Sequence, residues 1–303
     1  MFFRELLWCE LKEWLELNFK KMKWRFLEEK IFKILMITAT VVIVSGLLLI
    51  LGTIIVKGLP SMSWEMISQT PKGGYYLGKE GGILNAILGS LYLAVGATFL
   101  AVLLSLPVVI YINMYAKKNS FFSNTLRLCF DVMWGIPSIV YGAFGFTFMI
   151  MFGVKTSLFA AIIIVTIVVL PVIIRSVDEI VRMISTGLYE AAFSLGATRF
   201  QTSYKVIIRQ ASPGIITAIL VAFGRAIGDA AAVLFTAGYT DYIPTSLFQS
   251  VATLPLAIFF QLGTPFPEVQ ERAYAAAFIL TMLILITSIL ARFFTRKYKK
   301  YRI

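Results

Sequence analysis

Six long apolar runs dominate this sequence and limit the folds that it can adopt. They cover residues 34–56, 83–116, 132–154, 156–174, about 206–240 and 273–291. A helix needs about 20 residues to cross the ~30 Å hydrocarbon core of a bilayer, and it satisfies its own backbone hydrogen bonds there. The runs therefore predict an all-α, polytopic membrane protein with six transmembrane helices, numbered here as spans 1 to 6.

The basic residues are distributed unevenly around these spans. Of the 28 Lys and Arg residues, 22 lie in the first 33 residues, the turn after span 2, the loop after span 4 and the C-terminal tail. With six spans, these four segments all fall on the same side of the membrane. Short loops rich in Lys and Arg stay on the cytoplasmic side. Both termini are therefore expected in the cytoplasm. This bias accounts for the net charge of +12. Nucleic-acid binding is not predicted, because the sequence shows no basic face with interleaved aromatic residues.

Residue usage excludes most enzyme chemistry. The sequence has no histidine, and the spacing of Cys9 and Cys129 suits neither a disulfide framework nor a metal site. Zinc sites and Ser-His or Cys-His catalysis are therefore not predicted. We expect no catalytic residue, no metal and no cofactor bound by this chain.

One short motif is similar to the start of a nucleotide-binding phosphate loop. Gly73 is followed by Gly78 and Lys79, but Glu80 stands where magnesium binding needs Ser or Thr. The motif also falls on the external side. ATP and magnesium are therefore expected to be used by a partner subunit.

The first 30 residues are expected to form an element of their own. Apolar residues recur at helical spacing from Phe3 to Leu15, and basic residues follow from Lys20 to Arg25. This pattern predicts an amphipathic helix on the lipid of the inner membrane surface; docking against a partner protein is the alternative. The six-span domain is then expected over 31–295, with a basic cytoplasmic tail over 296–303.

The polar stretch between spans 4 and 5, at about 176–205 and here named the inner loop, predicts two helices around a glycine corner. Four apolar residues share one face of the first helix: Leu188, Ala191, Ala192 and Leu195. Gly196 can take the left-handed conformation that ends a helix, and Thr198 with Gln201 forms a capping box. The small alanines, flanked by Tyr189, suit a groove on a soluble partner. An ordinary loop helix is the alternative.

Span 3 carries small and proline residues close together. These are Gly135, Pro137 and Ser138. Such positions let membrane helices pack closely or open, and freed carbonyl groups can line a wet cavity. We expect them to act in helix packing or gating.

Span 5 carries charges at bilayer depth. Arg225 and Asp229 are one helical turn apart and able to pair, and Gly224 with Gly228 forms a ridge for close helix contact. Because a charge there costs about 2.5–3.5 kcal/mol, it should face protein or water. The planar guanidinium of Arg225 suits a tetrahedral oxyanion. Asp229 is expected to hold Arg225 in place, or to accept a hydrogen bond from a protonated oxyanion. A structural salt bridge is the alternative.

Five runs, taken together and in order, resemble the permease subunits of ABC importers and, among them, the phosphate-importer permeases of the PstA family. They are GGILNAILGSLYL (81–93), GIPSIVYGAFG (135–145), EAAFSLGAT (190–198), GRAIGDAAAVLFTAG (224–238) and ATLPLAIF (252–259). The third run carries the EAA signature of such permeases. The family usually has Leu-Pro where Ile208 and Arg209 stand, and Glu where Asp229 stands.

The resemblance implies a type I ABC importer permease in the cytoplasmic membrane of a prokaryote. It implies a PstC-like second permease, a PstB-like ATPase dimer that grips the inner loop, and a PstS-like protein that delivers phosphate. The residues expected to contact the ATPase are Leu188, Tyr189, Glu190, Ala191, Ala192, Leu195 and Gly196. Arg225 and Asp229 are expected to line the anion path.

Two other functions remain open from the sequence. A stand-alone secondary transporter or channel would use Arg225 and Asp229 as a proton or ion relay and would need no ATPase. Within the ABC importers, sulfate, molybdate and tungstate are the alternative oxyanions.

Overall fold

The computed structural model describes residues 2–72, 80–117 and 120–298, and these residues are almost entirely helical. The helices are α1 (Phe2–Gly58), α2 (Trp64–Ser68), α3 (Leu84–Ile110), α4 (Phe121–Gly135), α5 (Ser138–Met151), α6 (Leu158–Arg182), α7 (Thr186–Ser194), α8 (Arg199–Gln201), α9 (Ile208–Gly228), α10 (Leu254–Leu262) and α11 (Pro267–Tyr298). Two π-helical segments, π1 (Tyr111–Tyr115) and π2 (Thr202–Ile207), follow α3 and α8. Strands β1 (Pro71–Lys72) and β2 (Glu80–Gly81) pair antiparallel before α3.

The predicted number of spans agrees with the described helices. Five stretches are long and apolar enough to cross a membrane: Glu28–Gly58, Leu84–Tyr115, Leu158–Arg182, Arg199–Gly228 and Pro267–Phe294. The pair α4 and α5 passes the same test only as one bent span. The all-α membrane class is therefore confirmed, and the six-span count holds when the bent pair is taken as span 3.

Span 3 is not the straight helix predicted over 132–154. It starts earlier, at Phe121, and its two halves meet at 96°. Ile136 at the break is extended, with φ −73° and ψ 128°. Pro137 explains this conformation, because a proline ring disfavours the helical region for the residue before it.

Span 5 also differs from its prediction over 206–240. Its helical stretch begins at Arg199 and ends at Gly228, and residues 229–253 form turns and irregular backbone. Asp229 is extended, and its Oδ1 accepts a hydrogen bond from the Ala232 amide at 2.9 Å. The run of small apolar residues after Asp229 is typical of a helix, but this capped turn ends the helix first.

The N-terminal unit, which extends to Ile55, consists of α1 alone. This helix runs without a break through residue 30, where the sequence predicted a boundary. The predicted position of its first part on the lipid surface stays a prediction.

The core of the second unit, from Val56 onward, is centred on α6. In the most apolar window of this helix 67% of the residues are buried, and α6 packs against α3 and α9. The irregular segment 229–253 lies in the same core, because Val233, Ala237 and Val251 are fully buried. Its carbonyl groups accept hydrogen bonds from the first amides of α6, which have no partner within their own helix.

Candidate coupling loop and anion path

The inner loop has the predicted helix–corner–helix structure. Helix α7 ends at Ser194, and Gly196 follows with a φ of 78°. The Ala197 amide donates to the Ala192 carbonyl at 3.1 Å, which closes the last turn. Both capping-box bonds are present, because the Gln201 amide donates to Thr198 Oγ1 and the Thr198 amide donates to Gln201 Oε1.

The residues predicted to contact a partner do not share one environment. Glu190 and Ala191 are exposed, and Leu195 is 88% exposed just beyond the helix end. Leu188 and Tyr189 are half-buried. Ala192 is buried against the rest of this chain. It therefore packs α7 onto the protein and contributes almost nothing to the surface that a partner could contact.

The exposed apolar surface of the inner loop is larger than the sequence analysis predicted. Phe200 is 71% exposed on α8, and Tyr204 and Met183 are also exposed. The spacing of Phe200 and Tyr204, four residues apart, was the available signal for one helical face. Groups of exposed apolar side chains are common at protein–protein contact surfaces.

Two hydrogen bonds fix the inner loop to the ends of the spans. Burial raises the pKa of the Tyr189 hydroxyl, so the group stays protonated and donates to the Val181 carbonyl at 3.4 Å. Arg199 Nη1 donates to the Met114 carbonyl of π1 at 3.5 Å. The loop is therefore linked to both α6 and π1.

Arg225 and Asp229, which the sequence placed in a position to pair, form no such pair in the structure. No ion pair joins them within residues 120–298, because α9 ends between them and the helical spacing is lost. Arg225 is exposed, with no acid partner in that range. Asp229 instead caps the turn that follows.

Arg225 lies within electrostatic reach of α5, the helix that follows the break in span 3. Its guanidinium acts on the Tyr141 hydroxyl of α5, and this hydroxyl donates to the Met133 carbonyl of α4 at 2.9 Å. Gly135, Pro137 and Ser138 form the break itself. The Arg225 charge therefore acts on the helix that begins at the predicted gating residues, although the sequence separates them by about 90 residues.

The glycine ridge of span 5 faces α11. A methyl group on Gly224 would lie 3.6 Å from Thr287 Oγ1, and one on Gly228 would lie 3.6 Å from Ile284 Cδ1. Both are ordinary van der Waals distances, so the contact exists but does not require glycine.

The sequence analysis missed a polar cluster at the inner ends of α4 and α6. Asp178 of α6 binds Arg127 of α4 and Asn113 of π1, at 2.7 to 3.3 Å. A second group of ion pairs, more exposed than the first, joins Arg175 to Asp131 and to Glu179. The Arg127–Asp178 and Arg175–Asp131 pairs join helices distant in the sequence and leave no local pattern, whereas the spacing of Arg175 and Glu179, four residues apart on α6, was an available signal.

A polar contact holds the outer end of the irregular segment. Asn85 Nδ2 donates to the Thr240 carbonyl at 2.7 Å, and Arg272 of α11 donates to the Gly81 carbonyl. Burial raises the pKa of the neighbouring Asp241 carboxyl. Among the described residues no group of three or more His, Cys, Asp or Glu is placed to hold a metal ion.

Comparison with known proteins identifies the family. The sequence profile of the binding-protein-dependent transport system inner membrane component matches residues 110–300, which contain the inner loop and span 5. The chain belongs to this family. It is thus a transport subunit of a multi-pass inner-membrane permease.

Two phosphate transport system permease proteins PstA are similar to this permease over most of its length. The protein from Yersinia pestis is 30% identical over 92% of this chain and 94% of its own. The protein from Xylella fastidiosa strain Temecula1 is 34% identical over 79% of this chain and 83% of its own.

Solved structures show the same fold at lower identity. A chain of the inward-facing MetNI methionine ABC transporter has a TM-score of 0.56 at 21% identity, covering 71% of this permease and 94% of that chain. A chain of a bacterial alginate ABC transporter has a TM-score of 0.60 at 13% identity, covering 88% and 95%. The fold is therefore that of ABC importer permeases.

Proposed function

We propose that this chain is the transmembrane permease subunit of an ATP-driven importer of inorganic phosphate. The observation that carries the proposal is its similarity to phosphate transport permeases from Yersinia pestis and Xylella fastidiosa over 92% and 79% of its length. A PstC-like permease completes the path, a PstB-like ATPase dimer consumes ATP and magnesium, and a PstS-like protein delivers phosphate from outside. The chain itself binds no cofactor, and both of its termini are cytoplasmic.

The ATPase grips the exposed surface of the inner loop. Leu195 and Phe200 supply apolar area on either side of Gly196, as expected for a helix that docks into a groove. ATP binding draws the two ATPase subunits together and moves α7, and hydrolysis resets it. Because α7 follows α6 after three residues, this movement reaches the spans.

Arg225 makes transient contact with the anion in the path. Its guanidinium is exposed on α9 and is not neutralised by an acid within residues 120–298. Five fixed N–H donors match the oxygens of phosphate. One Asp229 oxygen holds the Ala232 amide, and the other is a candidate acceptor for the proton of a protonated oxyanion.

Replacing Arg225 with alanine tests this assignment in membranes that hold all partner subunits. Arg225→Ala is expected to lower ATP-dependent phosphate uptake at least tenfold while the ATPase still co-purifies. Arg292→Ala is the control, because Arg292 is also exposed but lies near the end of α11. Normal uptake with Arg225→Ala would contradict the path assignment.

A further inference from the structure

Asp178 is the only charged side chain that is buried among the described residues, with 3% of its surface exposed. It lies one helical turn before Arg182, where α6 ends. A carboxylate near a helix C-terminus opposes the helix dipole, and burial adds a desolvation cost. The stability of α6 therefore does not explain its presence.

Both oxygens of this carboxylate are engaged, by two other elements. Oδ2 accepts from Arg127 Nε at 3.0 Å, and Oδ1 accepts from Arg127 Nη2 at 3.3 Å. Oδ1 also accepts from Asn113 Nδ2 at 2.7 Å. Asn113, Arg127 and Asp178, here named the Asp178 triad, thus join π1, α4 and α6 through directional bonds.

The triad lies between α7 and the break in span 3. Only residues 183–185 separate α6 from α7, and π1 receives the hydrogen bond from Arg199 of α8. At the other end, α4 leads directly into the break at Pro137. Tyr141, which binds the last turn of α4, interacts with Arg225. Helix α5 also packs against the backbone after Asp229, because a methyl group on its Gly142 would lie 2.7 Å from the Ala232 carbonyl oxygen. One chain of contacts therefore runs from the inner loop to the segment that follows Arg225.

Helix α4 has few buried contacts besides these polar bonds. Ser123 is its only buried residue, Phe130 packs half-buried against the core, and apolar side chains such as Phe121 and Leu128 are exposed. A helix with few buried apolar contacts has low local stability, so directional contacts contribute a large share of what holds it. The bidentate bond from Arg127 is such a contact.

A small apolar cavity lies close to the triad, next to the sequence neighbours of Asn113 and Asp178. It is lined by residues of α3, π1, α6, π2 and α9, among them Met114, Val181 and Ile207. Both π-helical segments thus border one void directly inside the inner loop. Single-turn π-segments often occur at functional sites of helices.

We propose that Asp178 is a positioning residue that transmits movement of the inner loop to the break in span 3, and thereby to Arg225. The inference rests on the proposed ATP-driven function. When α7 moves, the end of α6 moves with it, and the bond between Asp178 and Arg127 makes α4 follow. Helix α5 then turns about Pro137 and changes the access of Arg225 to the path.

The chain supplies a matched control for this role. Arg175 and Asp131 also join α6 to α4, at 2.9 Å, but their side chains are 37% and 47% exposed. Exposed ion pairs contribute little because water screens them. Asp131→Asn removes the same charge from the same interface and is expected to leave transport within about twofold of wild type.

Two variants test the triad in the assembled complex, reconstituted in vesicles. Asp178→Asn removes the charge, and the double variant Arg127→Met with Asp178→Leu replaces the pair by apolar groups of similar volume, which often preserves folding. The measurement is phosphate moved per ATP hydrolysed. We expect this ratio to fall at least tenfold in every variant that assembles, with ATPase binding and basal hydrolysis retained. A wild-type ratio in either variant, or loss of assembly in both, would overturn the proposal.

A second measurement follows the movement itself and does not depend on the transported anion. Spin labels are placed on Cys129 of α4, which is exposed, and on Phe293→Cys near the end of α11, with Cys9→Ser. ATP is expected to shift the distance between the labels in the wild-type background and in Asp131→Asn, but not in Asp178→Asn. An equal shift in Asp178→Asn, or none in wild type, would sink the inference. Uptake of another oxyanion with the shift intact would refute only the phosphate assignment.

Discussion

At the scale of single residues, Gly196 shows how local sequence specifies a functional corner. Its φ of 78° favours glycine, and a methyl group there would meet open space. The constraint is therefore conformational rather than steric. Asparagine tolerates the left-handed region, whereas proline is fixed near −65°.

We therefore expect Gly196→Pro to separate the helices of the inner loop and Gly196→Asn to preserve them. ATPase co-purified with the permease complex should fall at least tenfold for the proline variant and stay near wild type for asparagine. Equal ATPase retention in both variants would show that the corner does not position the ATPase contact.

The same scale shows what a sequence can and cannot predict. The glycine corner and the Thr198–Gln201 box were predicted correctly because each depends on residues a few positions apart. Arg225 and Asp229 do not form the pair that the sequence allowed, because α9 ends at Gly228. The turn capped by Asp229 is local, but the packing of the residues after it against distant helices has no local sequence pattern.

At the scale of elements, the irregular segment 229–253 is held by close backbone contact. A methyl group on Gly142 of α5 would lie 2.7 Å from the Ala232 carbonyl oxygen and 2.9 Å from that of Ala231. Such distances are too short for a carbon atom. The segment after Asp229 therefore keeps its position only while α5 presents a glycine.

Gly142→Ala is expected to push α5 away from this segment and to destabilise the permease by about 1–3 kcal/mol, as overpacking does. Thermal unfolding of the purified complex measures the effect. Gly224→Ala serves as the control, because its methyl group meets Thr287 Oγ1 at 3.6 Å. A lower melting temperature for Gly224→Ala than for Gly142→Ala would contradict the packing described here.

Apolar runs predicted the number of spans but not their breaks. The first part of the irregular segment, residues 230–239, is as apolar as a helix, so hydropathy cannot distinguish the two. Pro137 did signal a break, and the sequence analysis assigned it to packing or gating. The size of the bend, 96°, was not predictable from Pro137 alone, and the bond from Tyr141 to Met133 spans it.

At the scale of the whole molecule, the family and the membrane class were predicted from the sequence, whereas the contacts that join its parts required the structure. The Asp178 triad and the neighbourhood of Arg225 and Tyr141 each combine residues at least 50 positions apart. In the proposed mechanism they link the exposed surface of the inner loop to the anion path. ATP hydrolysis on the cytoplasmic side is therefore expected to drive movement of the anion along a path lined by span 5.

Uptake of radiolabelled phosphate by vesicles that contain the complete complex tests this claim most directly. Vesicles with enclosed ATP and external phosphate-binding protein are expected to accumulate phosphate, to stop when either is omitted, and to be unaffected by excess sulfate or molybdate. Phosphate uptake that continues without ATP or the ATPase would contradict the account and favour a stand-alone transporter. ATP-driven uptake of sulfate or molybdate in place of phosphate would contradict the assignment of the substrate.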